Sequence, residues 1–551
     1  MESAYFKNWI TGWHWGVRIA LFFIMVSGLV QLGLFVLTQS YMVAYLGAQP
    51  EDIQFGVMST YAGIITVLPL QFRFFKYFQT RSYLLASMMM AIVLNIACLY
   101  CQDINLFLII RFAQGIITAN VIVFGLLLVF TRLPSERAKT VAPAVFYGTL
   151  LSNAVLIGLL AGVVVESADW KVTYYYLVLF QLLLLVIILL MLKEKSVTRH
   201  YPLYQVDWAG VVIFACAALS LAYTTIYGSK YYWFADVRIR RGAIATVIGV
   251  VLFLYRQYML KRPVIHLSIF KSRNFVAAVC LLAIYYGCKD SINLVYNYAG
   301  GVLKWSALQV MTLALWNIVG MVGVLVVVIR LMLVKKVTIK GLLIAGFALL
   351  GAFNCWMSFL LTPDLAFTDL LLPVFLQGVA SGFLFVPIMI YVLSSTPAYA
   401  GMSGMLVAAC TRFTATANSF AGFYNLQLYF NQYFKEGFLG YLTTDNQNMA
   451  TRLTNYRELY ASKGFTVEQA SVLANAAVWQ NLTQQSQLLT NRALFIGFAI
   501  LSLVVALLML VIPAIGKIWL HLNKQRMAMV LGDRILNMAG MIKTLTISEK
   551  R

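Results

Sequence analysis

The sequence is poor in charge. Only 11% of its 551 residues are Asp, Glu, Lys or Arg, against about 25% in soluble domains, so a water-soluble enzyme is excluded. Acid is scarcest: 19 Asp and Glu stand against 41 Lys and Arg. Asp290 is the one carboxylate near the middle of any long apolar run. Histidine is limited to His14, His200, His266 and His521, far apart and mostly near the ends of apolar runs. The cysteines lie mostly singly within such runs. Cys98 and Cys101 form a C-x-x-C with no second pair and no nearby histidine, so no metal site is drawn from them. A phosphate-binding Gly-rich loop, His-Glu-x-x-His and Gly-x-Ser-x-Gly are absent. The expectation is no enzyme, no catalytic residues, no metal and no cofactor; an ATP-driven pump is disfavoured too. The N-terminus shows no signal-peptide cleavage pattern.

Hydrocarbon fills the space that charge leaves. The chain is 62% hydrophobic, with a mean hydropathy of +0.83. A membrane helix needs about 20 apolar residues. Fourteen runs qualify: 19–46, 55–72, 83–101, 105–131, 140–165, 172–192, 207–228, 242–258, 274–300, 306–330, 338–361, 367–395, 401–423 and 491–514. Long continuous runs exclude a β-barrel, whose strands alternate over about ten residues. The class is an all-α polytopic membrane protein. The basic residues sit between the runs, so the net charge of +22 reports topology and anionic lipid, not nucleic acid. Lys and Arg concentrate in alternate loops, as in 73–81, 132–139 and 330–340, which places both termini in the cytoplasm. The loop 229–241, with Lys230, Arg238, Arg240 and Arg241, runs against that pattern. Residues 1–18 carry Tyr5, Phe6, Trp9, Trp13 and Trp15 and read as an interfacial helix. Residues 424–490 read as a polar outer segment, helical over 430–438 and 467–489 with a break at Lys463-Gly464. Residues 515–551 form a basic cytoplasmic tail.

Four ionisable residues lie at membrane depth: Arg111, Lys289, Asp290 and Arg412. A charge there costs at least about 2.5–3.5 kcal/mol on insertion scales, so each marks a pathway or a buried partner. Tyr286, Lys289, Asp290, Asn293 and Asn297 recur at helical spacing and predict one polar stripe. Lys289 and Asp290, being adjacent, should diverge by about 100° on a helix. Asp290 is the candidate proton carrier, its affinity raised by desolvation and lowered by Lys289 or Arg412. Gly158 and Gly162 form a small-xxx-small pair suited to close packing or to flexing between states.

These residues resemble the major facilitator superfamily, in its branch of 14-span drug:proton antiporters of EmrB/QacA type. The resemblance rests on landmarks in order. Arg111-x-x-Gln114-Gly115 is similar to the family's Arg-x-x-Gln-Gly. Trp170-Lys171 resembles its Trp-Arg-Trp, and Asp207-Trp208-Ala209-Gly210 its Asp-Trp-x-Gly. Pro263 to Phe270 with Arg273-Asn274-Phe275 resembles the linker before the ninth span. Gly401-Met402-Ser403-Gly404 followed by Arg412 resembles the opening of the thirteenth. The departures are specific. Phe72 and Lys76 stand where the family's inner loop carries Gly and Asp, so its charge latch is not encoded. The first span has Gln31 and Gln39 but no acid, and 153–162 has no proline.

The resemblance implies two six-helix half-bundles, 19–192 and 274–514, with two inserted spans at 207–258 (a 6+2+6 arrangement), working by alternating access around a midplane site. It also implies that Arg111 and Gln114 share one cavity with the stripe and Arg412, with Gly115, Gly158 and Gly162 as packing seams. Arg111 would take Asp290 or a substrate's negative charge as partner. The expected function is proton-coupled efflux of a small amphipathic compound across a bacterial inner membrane, with the proton gradient as energy source. Three cations and one acid favour neutral, zwitterionic or anionic cargo. By family analogy the segment 424–490 would dock a periplasmic adaptor leading to an outer-membrane channel. Two alternatives stay open: an importer of an organic anion or iron chelate, and a non-transporting scaffold or sensor.

Overall fold

The computed structural model describes residues 5–131, 149, 153, 157, 160, 169–194, 206–260, 263–333, 338–397, 400–442 and 446–511. Most of the expected fifth span, with Gly158 and Gly162, and the tail 515–551 lie outside the described residues. The described elements are helical apart from an isolated bridge between Phe6 and Leu192. In chain order they are α1 (Asn8–Thr11), α2 (His14–Leu46), α3 (Pro50–Val67), α4 (Gln71–Tyr77), α5 (Thr80–Tyr100), α6 (Ile104–Thr131), α7 (Lys171–Met191), α8 (Trp208–Tyr227) and α9 (Val237–Met259). The second part adds α10 (Arg273–Lys289), α11 (Ile292–Gly301), α12 (Ala307–Leu333), α13 (Ile339–Leu360), α14 (Phe367–Ser394), α15 (Gly401–Leu439), α16 (Gln447–Ser462) and α17 (Val467–Val511).

Among the described residues, 11 helical stretches are long and apolar enough to cross a membrane. The expected span 242–258 lies within α9, made less apolar by Arg238, Arg240, Arg241 and Arg256. The expected span 401–423 is the first part of α15. Two expectations are corrected. The N-terminal interfacial helix shrinks to Asn8–Thr11, because Gly12 ends it and α2 starts at His14. Phe6 and Ile10 turn inward while Trp9, Trp13 and Trp15 stay exposed. In the segment 424–490 the stretches 430–438 and 467–489 are helical as expected, but they extend the neighbouring spans: α15 runs for 39 residues and α17 for 45, with α16 as a separate helix between them. At 1.5 Å per residue, α17 is about 67 Å long against a hydrocarbon core of about 30 Å. Both helices therefore project well beyond the membrane. The expected break is present at Gly464, with φ of +90°.

Burial follows two half-bundles. Phe35, Met58, Phe107 and Tyr174 anchor a core in the first half. Tyr285, Phe347, Val374 and Phe495 anchor one in the second. The inserted pair bridges them: α8 adds Ala218, Ala222 and Ile226 to the first core, and α9 adds Phe253 to the second. Asp207 ties the pair together. Its carboxylate caps α8 by accepting from the Gly210 N–H at 2.9 Å and pairs with Arg256 of α9 at 2.7 Å. A side chain at position 210 would collide with that carboxylate, which accounts for the glycine of Asp-Trp-x-Gly. Ser403 likewise fastens α15 to the linker, donating to the Val264 carbonyl (3.2 Å) and accepting from the His266 N–H (2.9 Å). Where a charge latch was missing, rings pack instead. Tyr83 stacks on Phe124 at 4.4 Å and on Phe78 at 5.2 Å, and Phe74 reaches Trp208 at 6.4 Å.

The halves repeat one packing device. In the first, Gly115 of α6 lies directly against the Thr60 carbonyl of α3, and Gly63 against the Phe112 carbonyl. In the second, Gly378 of α14 lies against the Asn317 carbonyl of α12, and Gly320 against the Phe375 carbonyl. The segments Arg111-Phe-Ala-Gln-Gly115 and Val374-Phe-Leu-Gln-Gly378 are therefore structural counterparts. A Cβ at either second glycine would strike backbone, which cannot rotate away. Gly115→Val and Gly378→Val are each expected to cost at least about 1–3 kcal/mol. Thermal melting in detergent should show a lower midpoint for both, with Gly300→Ala, which opens on empty space, unaffected.

Candidate functional site

The predicted residues fall into two groups. The first is buried inside the first half. Arg111 is 1% exposed. Its Nη1 donates to the Gln114 Oε1, its Cζ lies 3.7 Å from the Phe35 ring centroid, and Cys98 and Tyr174 stand beside it. Among the described residues no carboxylate pairs with it, and Nε and Nη2 have no hydrogen-bonding partner. The guanidinium is held by an amide and a ring face. Around it runs a network across α2, α5, α6 and α7. Gln114 Nε2 donates to Asn95 Oδ1 (2.9 Å), Asn95 Nδ2 to Gln181 Oε1 (3.0 Å), and Gln31 Nε2 to Thr118 Oγ1 (2.8 Å). Lipid can satisfy none of these groups, so they satisfy one another.

The second group centres on Tyr286. Arg412 of α15 places its Cζ 5.4 Å from the Tyr286 ring centroid, and Lys289 Nζ lies 5.9 Å from it. Lys289 Nζ also pairs with Asp290 Oδ1 at 2.8 Å. Tyr61 of α3 joins as an electrostatic neighbour of Tyr286, so the cluster draws on both halves. Support comes from behind. Gln377 Nε2 donates to the Lys289 carbonyl at 3.0 Å, and Asn317 Nδ2 donates to Gln377 Oε1 at 2.6 Å.

Three expectations fail here, two of them for one reason. The helix breaks at Asp290-Ser291, so α10 ends at Lys289 and α11 begins at Ile292. The single stripe therefore does not form: Asn293 and Asn297 are exposed on α11 beyond the break. Lys289 and Asp290 do not diverge; Asp290, at the helix end with ψ of −3°, turns back to its neighbour. Arg111 and Asp290 do not share a cavity, since all the named neighbours of Arg111 belong to the first half. Gly115 is a packing seam as expected. Tyr61, Asn317 and Gln377 were missed. The Phe-x-Gln-Gly repeat at 112–115 and 375–378 was a usable signal for Gln377; Tyr61 left none, because its role depends on a contact between halves.

Two helical halves joined by an inserted pair, with a charged cluster between them, match a known pattern. The sequence profile of the Major Facilitator Superfamily matches residues 19–417. The chain belongs to this superfamily. It is a membrane transporter acting on small molecules, not an enzyme. Its relatives in this superfamily include the probable multidrug resistance protein EmrY of Escherichia coli (strain K12), 21% identical over 64% of this chain and 68% of that protein. The multidrug export protein EmrB of the same strain is 20% identical over 55% of this chain and 58% of that protein, under two thirds of its length. Among solved structures, a POT family transporter in complex with 5-aminolevulinic acid superposes with a TM-score of 0.58 at 14% identity, covering 91% of this chain and 96% of that one. At that identity the likeness concerns the fold alone.

The two groups should respond differently to mutation. Arg111→Leu strands the Gln114 Oε1 but also removes a buried cation, so it is expected to stay folded and to melt less far below the parent than Asn95→Leu. Asn95→Leu strands the Gln114 and Gln181 amides and is expected to cost about 1–3 kcal/mol. Melting in detergent checks both; the reverse order would contradict the network.

Proposed function

We propose that the chain is a proton-coupled exporter of a small amphipathic compound, neutral, zwitterionic or anionic, working by alternating access in a bacterial inner membrane. The observation that carries this reading is the cluster of Tyr286, Lys289, Asp290 and Arg412 with Tyr61, drawn from α3, α10 and α15. The proposed architecture is 14 spans as 6+2+6, with half-bundles at 19–192 and 274–514 and both termini cytoplasmic.

Asp290 and Lys289 supply the coupling. Export driven by an inward proton requires proton and cargo to occupy the site in turn. Cargo binds from the cytoplasm beside Arg412 while Asp290 is ionised and paired with Lys289. Once the site has turned outward, Asp290 takes a proton as the cargo leaves, and it gives that proton to the cytoplasm when the site turns back. One proton moving inward down 100 mV supplies about 2.3 kcal/mol, enough for roughly a fortyfold gradient. Cations outnumber the acid in this cluster, which disfavours lipophilic cations as cargo. The names of the multidrug export relatives support export over uptake.

Asp290→Asn is expected to lower proton-driven transport at least about a hundredfold, the lower end of what a positioned acid–base group contributes, and to flatten its pH dependence. Uptake of a fluorescent cargo into inverted vesicles with an imposed pH gradient measures both. Transport with unchanged rate and pH profile would remove Asp290 from the mechanism, and transport in the opposite sense would make the protein an importer.

The projection formed by the ends of α15 and α17 with α16 is the proposed seat of a periplasmic adaptor leading to an outer-membrane channel. It exposes Tyr429, Tyr433 and Trp479, a composition suited to protein contact. Shortening residues 424–490 should leave vesicle transport intact and abolish extrusion across the whole envelope in cells; intact extrusion would refute the docking role.

A further inference from the structure

A cavity lies beside the charged cluster and has no part in the mechanism above. It has a volume of about 790 Å³ and is walled by α3, α8, α9, α10, α15, α17 and the linker before α10. Its floor is buried at Ala218, Cys288, Val407 and Phe413. Its rim is exposed at Val250, Leu254, Phe270, Leu426 and Leu501. The rim belongs to membrane-spanning helices and their linker, so the cavity opens sideways toward lipid. Among the described residues the lining hydroxyls are already engaged. The hydroxyls of Thr411, Thr414 and Ser419 all turn back on carbonyls of their own helix, at 2.8, 3.0 and 3.0 Å. An apolar cavity of this kind stays dry and takes apolar guests.

Two glycines line it, Gly287 of α10 and Gly422 of α15, and a Cβ at either would meet nothing within 4 Å. Glycine inside a helix is unfavourable, and neither position is forced by close packing. Both make sense if the space is used. The cavity adjoins the charged cluster along the chain: Thr411 and Phe413, which line it, flank Arg412, and Cys288, which also lines it, precedes Lys289. A guest lying along the wall would have its tail in hydrocarbon and its head beside two cations and one acid.

We infer that this cavity holds the hydrocarbon tail of a single-chain anionic amphiphile, which enters from the membrane and presents its head group to Arg412 and Lys289. The volume lies within the range of about 300–1,000 Å³ typical of one small ligand; a two-chain phospholipid exceeds it. The cation excess supplies charge complementarity for the head. The inference deepens the proposed function by naming a cargo class, and it rests on that reading only for the head-group position.

The test is photolabelling of the whole protein in neutral-lipid nanodiscs. The probes are a fatty acid with a diazirine in its tail, the matching fatty alcohol, and a phospholipid carrying the same tail. The acid should label the cavity-lining peptides of α9, α10 and α15. Gly287→Leu and Gly422→Leu should each lower that labelling at least about fivefold, the weak end of what filling a packed space costs. Gly300→Leu, which also opens on empty space but away from the cavity, should not. Acid should outcompete alcohol, and Arg412→Gln should erase that preference while tail labelling persists. Undiminished labelling in both filled variants, equal labelling by the phospholipid, or no acid preference would each overturn the inference. Because labelling needs neither gradient nor turnover, it can fail while the effect of Asp290→Asn on transport stands, and the reverse.

Discussion

Hydrocarbon cannot accept or donate a hydrogen bond, so each polar group at membrane depth must be satisfied by the protein itself. The structure answers this demand in three ways. Hydroxyls such as Thr411 bond back to their own helix. Amides from four helices bond one another around Gln114. Charges meet opposite charges or ring faces, as Lys289 meets Asp290 and Arg111 meets Phe35. The chain has so little acid that it cannot neutralise its cations one by one, which is why an amide and an aromatic face serve Arg111.

The halves solve the same packing problem and then diverge. Each brings a Gln-Gly step against a backbone carbonyl, and each uses that glutamine as an anchor. In the first half Gln114 closes a network that holds Arg111 inside the bundle. In the second, Val374 stands in place of the arginine, and Gln377 supports the carbonyl of Lys289 where the helix breaks. One half thus buries its charge within a hydrogen-bonded network, and the other presents its charges where the helix breaks.

The inserted pair is more than a spacer. Asp207 and Arg256 clamp α8 to α9, and the pair contacts both cores: Ala218, Ala222, Ile226 and Ile239 join the first and Phe253 the second. The ring cluster of Phe74, Phe78, Tyr83 and Phe124 reaches Trp208 of α8, so apolar ring contacts fill the place where the resemblance implies a charge latch.

Much of the architecture was legible in the sequence because it rests on local properties. Apolar runs mark helices whatever they pack against. Asp207-Trp208-x-Gly210 and the serine of Gly401-Met402-Ser403-Gly404 proved to be a cap and a tether, with bonds close to the motif or to its neighbouring linker. What sequence periodicity could not reveal was where a helix stops being a helix. Helical spacing from Tyr286 to Asn297 predicts one polar face, yet the chain turns at Asp290 and splits it. The partners of Arg111, the electrostatic neighbourhood of Tyr61 and Tyr286, and the cavity beside Gly287 and Gly422 were equally beyond reach. Each joins groups from different helices, and only the packed bundle decides which faces meet. The sequence alone determined that Arg111 and Asp290 needed partners; the tertiary structure decided that they would not be each other's, because the first is sealed within one half and the second stands at the break in the other.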